Sequence, residues 1–191
     1  CVSTRDYEIG RKYFFSKPKL IPNVCMKEIP VMVSRRNIKK ILFVGRHVAP
    51  KRLDKFEFLA GAFPGYEFFV VGGFGENKVN LNYLGEWTDF CAFRDYDMLV
   101  LFSDSEGSPL VIQEALMAGL PCLINRLPYV TDLDTWRDQI TVIEDLSEME
   151  IRKGFTLACS KQYEEPSEIA AKMALLQVTF IEKIESCLER L

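Results

Sequence analysis

Two short stretches hold the side chains best suited to chemistry. The first, Gly45-Arg46-His47-Val48-Ala49-Pro50-Lys51-Arg52, sets cations directly after an apolar run. An arginine offers a planar fork that matches phosphate oxygens, and a lysine a compact point charge. Arg46 and Lys51 therefore suit a polyanion such as a diphosphate, unless they are plain surface charges. The second stretch, Ser103-Asp104-Ser105-Glu106-Gly107-Ser108-Pro109, leads into an apolar segment carrying Glu114. Ser108 reads as an N-cap and Pro109 as the first helical position, with the exit at Gly119. A helix tip presents unpaired N–H groups and roughly half a positive charge, so this turn could cradle phosphates, with Gly107 allowing close approach. Glu114 follows Pro109 by about 7.5 Å along the helix. Its neighbours Leu110, Val111, Ile112, Ala115, Leu116 and Met117 are apolar. A carboxylate on such a surface is costly without a partner, which favours a binding role over an ordinary polar position. Glu106, at the other end of the turn, is a second acceptor for sugar hydroxyls.

Other features carry less. Gly72-Gly73-Phe74-Gly75 resembles a dinucleotide turn only in composition, because a polar turn and another strand follow where a helix is required. His47 is the single histidine, so triad chemistry would have to run through it, and the sequence offers it no evident partner. The acidic run at 144–150 reads as a solvated helix start. Cys1, Cys25, Cys91, Cys122, Cys159 and Cys187 are scattered, with no C-x-x-C pair, which argues against zinc and for free thiols in a reducing compartment.

Short apolar strands must position these loops. The pattern predicts strands at 38–44, 66–71, 79–84, 98–102, 121–124 and 140–143. Helices are expected at 53–63, 87–95, 108–118, 146–159 and 166–191, the last with apolar residues at 169, 173, 176, 180, 184, 188 and 191. Alternating strands and helices imply an α/β fold with a mostly parallel sheet and helices on both faces. In such sheets ligands bind beyond the carboxyl ends of the strands, so the loops after Val44, Val71, Leu84, Phe102 and Ile124 are the ones to inspect. Residues 1–37, with Pro18, Pro22 and Pro30, read as an irregular linker and the tail of a preceding unit; 38–165 read as the domain proper, and 166–191 as a long C-terminal helix. The chain opens on Cys1 and reads as a processed protein or a piece of a longer one.

Composition agrees with an ordinary globular domain. The 191 residues are 48% hydrophobic and 27% charged, with a net charge of −3, which disfavours both disorder and a dedicated nucleic-acid binder. No apolar run approaches the roughly eighteen residues of a membrane span.

Taken together, Gly45-Arg46 followed by Lys51, then Glu106 and Glu114 with seven residues between them in Glu106-Gly107-Ser108-Pro109-Leu110-Val111-Ile112-Gln113-Glu114, then Ala115-Leu116-Met117-Ala118-Gly119-Leu120-Pro121, resemble the donor-binding domain of family 4 retaining glycosyltransferases. The likeness runs from about Ile38 to Pro128. It implies one Rossmann-like half of a GT-B architecture, binding a nucleotide-diphosphate sugar for transfer with retention and without a metal or other cofactor. Arg46 and Lys51 would neutralise the diphosphate as leaving group, and Glu106 would complete the catalytic set by holding sugar hydroxyls. Gly45, Gly107, Ser108, Pro109 and Leu110 would line the donor, Glu114 would take the ribose, and Trp87, in Leu84-Gly85-Glu86-Trp87, would lie near the base. After Pro121 the chain departs from the family pattern: Asn125-Arg126-Leu127-Pro128-Tyr129-Val130-Thr131-Asp132 stands where a Gly-Gly turn and a Glu are usual. The implied partners are the nucleotide sugar and a missing N-terminal domain that binds the acceptor; no nucleic acid is implied. The implied location is cytoplasmic, with membrane association left to the missing part. The alternatives are a non-catalytic nucleotide-sugar-binding or interaction module, and a nicotinamide oxidoreductase built on Gly72–Gly75.

Overall fold

The computed structural model describes residues 4–13, 25, 37–86, 90–163 and 165–188. Six strands, β1 (Lys40–Val44), β2 (Glu67–Val71), β3 (Leu81–Tyr83), β4 (Met98–Leu101), β5 (Cys122–Asn125) and β6 (Ile140–Ile143), form one sheet in the order β3-β2-β1-β4-β5-β6. Every pairing is parallel. The helices are α1 (Thr4–Tyr13), α2 (Leu53–Ala62), α3 (Leu110–Met117), α4 (Glu148–Ser160) and α5 (Pro166–Leu188).

The strands are near-continuous apolar runs because both faces of the sheet are covered. Successive residues point to opposite sides. Ile41 and Phe43 of β1 join Phe56 and Leu59 of α2 and Ile151 and Phe155 of α4 in one core layer. Leu42, between them, packs with Ile112, Ala115 and Leu116 of α3 and Ile169 and Met173 of α5 on the other side. The arrangement is thus the expected α/β, Rossmann-like sheet with helices on both faces. On the first face the Phe155 ring lies 4.6 Å from that of Phe63 and 5.0 Å from that of Tyr66, centroid to centroid. Beside it, Gly154 lets α4 lie against the sheet; a Cβ there would stand 2.1 Å from Ile143 Cγ2.

Several boundaries differ from expectation. Residues 4–13 of the stretch read as irregular are helical, and Gly10 is buried as α1 approaches a 3₁₀ segment at Pro128–Trp136 that the sequence pattern missed. The third strand is shorter than 79–84, because Val79 sits fully exposed in the turn before it. The helix expected at 87–95 is a 3₁₀ helix at Phe90–Asp95, with residues 87–89 outside the described set. α5 packs its Ile169 and Met173 into the α3 layer, so over its first turns it is part of the domain core. Cys25 is buried in the same layer: its N–H donates to Gln113 Oε1 on α3 at 2.8 Å, and its carbonyl accepts from Gln177 Nε2 on α5 at 2.9 Å. At the outer edge of the sheet, Lys161 Nζ donates to the carbonyls of Arg137 and Ile140, at 3.0 and 2.9 Å.

Candidate functional site

The strand order reverses direction between β1 and β4, which makes the gap beyond their carboxyl ends the switch point where ligands lodge in open α/β sheets. The loops leaving these two strands are those that carry the cations and Glu106. They are fastened to each other: the Asp104 N–H donates to the Pro50 carbonyl at 2.8 Å, and Arg52 Nη1 to Asp104 Oδ1 at 2.9 Å. Arg52 also forks onto both oxygens of Asp54, at 2.9 Å each. It adopts φ 40, an unusual left-handed conformation for a residue with a side chain, where the loop turns into α2. Its two carboxylate partners, Asp54 foremost, raise its pKa, and Arg52 in turn holds Asp54 below the usual carboxylate range.

At the centre of the junction Lys51 Nζ pairs with Glu106 Oε1. Their side chains are 21% and 11% exposed, so the pair is largely withdrawn from water. Ser103 Oγ donates to the same Glu106 oxygen at 2.8 Å. Ser103 is itself clasped by Asn125 at the end of β5. The Ser103 N–H donates to Asn125 Oδ1 and the Ser103 carbonyl accepts from Asn125 Nδ2, both at 2.9 Å. An unbroken chain thus runs Asn125–Ser103–Glu106–Lys51.

α3 begins just beyond. Pro109, not Ser108, occupies the N-cap, and no side chain caps the helix. Ser108 was expected to cap because Pro favours the first helical position, but here Pro109 has extended dihedrals and helical geometry starts at Leu110. The tip's orphan N–H groups therefore lack a side-chain acceptor. Gly107 and Leu110 are exposed, and Ser108 and Pro109 half-buried. Glu114 is on the second turn and only 7% exposed. The helix closes with Gly119 at φ 79, where the N–H groups of Gly119 and Leu120 bond the carbonyls of Leu116 and Ala115, a Schellman ending.

Of the residues singled out from sequence, Lys51 and Glu106 are brought into contact, and Gly107, Ser108, Pro109 and Leu110 follow on the same loop and helix tip. Gly45 lies at the end of β1, its N–H donating to the Val71 carbonyl. Arg46 is exposed on that loop and forms no ion pair with the other candidates among the described residues. The second cation joining the loops is Arg52 instead. Trp87 lies outside the described residues. His47 lies exposed in the loop after β1, and its Nδ1 is 3.1 Å from the Phe74 carbonyl, which requires the proton on Nδ1; this is a loop contact and not a triad pairing. Gly72 (φ 80) packs so closely that a Cβ would lie 2.7 Å from the Gly45 carbonyl oxygen, and no helix follows Gly75, so those glycines serve loop packing. Ser103, Asn125 and Arg52 were missed. The available signal was polarity in place: Asn125 closes an otherwise apolar strand, and Ser103 is the first polar residue after another. Among the described residues no group of three or more His, Cys, Asp or Glu side chains could hold a metal ion. Nor is any helix among them long and apolar enough to cross a membrane.

No family model matches the chain. It is 33% identical over 141 residues to the O-antigen biosynthesis glycosyltransferase WbnH of Escherichia coli, and likewise to the probable O-antigen biosynthesis glycosyltransferase WbiN of the same species. Each match covers 65% of this chain and 40% of the relative, so the chain spans well under half the length of these proteins. Among solved structures, the pneumococcal O-GlcNAc transferase GtfA, in complex with UDP and GlcNAc, aligns over 99% of this chain and 44% of its own at TM-score 0.70 and 18% identity. WaaG, a glycosyltransferase involved in lipopolysaccharide biosynthesis, aligns over 74% and 42% at TM-score 0.54 and 22% identity. At these identities the structural likeness is one of fold: one α/β half of the two-domain GT-B architecture.

Proposed function

We propose that this chain is the donor-binding half of a retaining, family 4-like hexosyltransferase, which binds a nucleotide-diphosphate sugar between the loops after β1 and β4. The observation that carries the reading is the meeting of Lys51 and Glu106 at the sheet's switch point, directly before the uncapped tip of α3. The related E. coli glycosyltransferases support the activity, and their names support a polysaccharide or glycoconjugate as the acceptor class.

In this reading the diphosphate rests against the α3 tip, where the N–H groups near Leu110 and the helix dipole meet its negative charge. Lys51, and Arg46 from the same loop, supply the fixed positive charge that departure of a nucleoside diphosphate requires. Glu106 accepts hydroxyls of the donor sugar and Glu114 those of the ribose. Fixed charge suffices for this chemistry, so no metal is invoked. The acceptor is held by the portion corresponding to the rest of the relatives' length. Holding acceptor against donor supplies much of the rate, so the chain alone is expected to bind donor and transfer negligibly.

Calorimetric titration of the chain with UDP, GDP and ADP tests the assignment. One of them is expected to bind below millimolar, and Lys51→Ala to weaken that diphosphate far more than the matching nucleoside. Binding of none, or equal losses for both ligands, would refute it.

A further inference from the structure

The Lys51–Glu106 pair joins two segments: Lys51 ends a short 3₁₀ turn (Ala49–Lys51) and Glu106 lies in the loop after β4, and neither position by itself fixes a long side chain. Lysine and glutamate each have several rotatable bonds, so a pair between them on loops is ordinarily one of many arrangements. Here something selects one. Glu106 Oε1 accepts from both Lys51 Nζ and Ser103 Oγ, whereas Oε2 has no hydrogen-bond partner among the described residues. Ser103 is 1% exposed, and its main chain has left the β4 ladder, yet both its peptide groups are satisfied by one side chain, Asn125, itself 6% exposed. A carboxamide suits this clasp because its oxygen accepts from the N–H while its NH₂ donates to the carbonyl of the same residue. The clasp pins the Ser103 backbone, the backbone aims Oγ, and Oγ decides which oxygen of Glu106 stays with Lys51.

We propose that Ser103 and Asn125 are positioning residues for recognition of the donor sugar: they hold Glu106 with Oε1 on Lys51 and leave Oε2 to accept a sugar hydroxyl. This rests on the proposed donor site. It assigns Asn125 a role in that site from β5, at the start of the segment where the sequence departs from the family pattern.

The alternative is that the Asn125–Ser103 clasp merely fastens the ends of β4 and β5. Titration of the 191-residue chain separates the two. The probes are UDP-glucose, UDP-galactose, UDP-GlcNAc, GDP-mannose and ADP-glucose, each compared with its free nucleoside diphosphate. With the sugar nucleotide that wild type prefers, Ser103→Ala is expected to lose about tenfold in affinity, the scale of one charge-assisted hydrogen bond. Its affinity for the free nucleoside diphosphate should stay within about twofold. Asn125→Ala should show the same sugar-selective loss, and the double variant little more than either, because both act through one oxygen. Melting of each variant is measured alongside; if Asn125→Ala does not fold, Ser103→Ala decides alone. Loss of stability with unchanged or equally weakened affinity for both ligands would overturn the positioning role while leaving the donor site standing. If wild type binds no nucleoside diphosphate, the donor-site reading fails and this inference fails with it; if it binds a diphosphate but no sugar nucleotide better than that diphosphate, this inference alone is overturned.

Discussion

Removing Lys51 tests the arithmetic of the junction without any ligand. In Lys51→Met the aliphatic stem is kept and the ammonium lost, so Glu106, 11% exposed, retains only Ser103 Oγ. Removing one partner of a fully buried ion pair costs about 3–5 kcal/mol, whereas an exposed pair contributes about 0–1 kcal/mol. This pair lies nearer the buried limit, but the serine hydroxyl remains on the carboxylate and water can reach the vacated side. We therefore expect a loss of about 2 kcal/mol, a drop of roughly 4–8 °C in melting temperature for a chain of this length. Glu106→Gln keeps an acceptor for Ser103 and leaves Lys51, at 21% exposure, able to reach solvent, so it should cost only about 1 kcal/mol. The double variant carries no unpaired charge and should also lose about 1–1.5 kcal/mol, giving a coupling of about 1.5–2 kcal/mol across the cycle. Urea denaturation of the four proteins at low and moderate salt reads these values directly. Additive losses, or a Lys51→Met protein as stable as wild type, would show that the two groups do not interact in solution and that the junction is misdescribed.

Gly154→Ala gains helix propensity of about 1 kcal/mol but places a methyl 2.1 Å from Ile143 Cγ2, on a branched and buried neighbour that cannot swing away; a net loss of about 2 kcal/mol in chemical denaturation is expected. Asp54, held below the usual carboxylate range by Arg52, has a depressed folded pKa. Its contribution is complete above the ordinary aspartate value near 3.9 and disappears as pH falls through the folded value. The stability gap between wild type and Asp54→Asn should therefore be present at pH 6 and shrink as pH falls below the ordinary aspartate value; a gap unchanged by acid would contradict the pairing.

The sheet was readable because its strands are covered on both sides and so stand out as unbroken apolar runs such as Ile41–Val44 and Met98–Leu101. α4 was readable from its face of Ile151, Phe155 and Ala158. What resisted reading depends on neighbours far along the chain. That Lys51 and Glu106 share one site was legible through the family resemblance, but their direct pairing across 55 residues follows only once β1 and β4 lie side by side. The 3₁₀ segment at 128–136 has mixed composition and no strong period, and it is stabilised by packing of Leu133 and Trp136 into the α3 layer. The start of α3 lies one residue later than read, because Ser108 and Pro109 are both good terminal residues, and Pro109 takes the N-cap position with Leu110 as the first helical residue. Asn125 was legible only as an interruption of a motif; that it clasps Ser103 requires knowing that β5 borders β4.

The two margins of the sheet also bear on how the molecule behaves in company. Among the described residues, β3 has only three residues and is preceded by a turn, while along β6 an ammonium already occupies the carbonyl of Ile140. A stranger's strand would find a short template on one side and a blocked one on the other. Growth of the sheet by adding strands from another copy is therefore disfavoured, and aggregation of the native state through this route should be slow even though the strands themselves are strongly apolar.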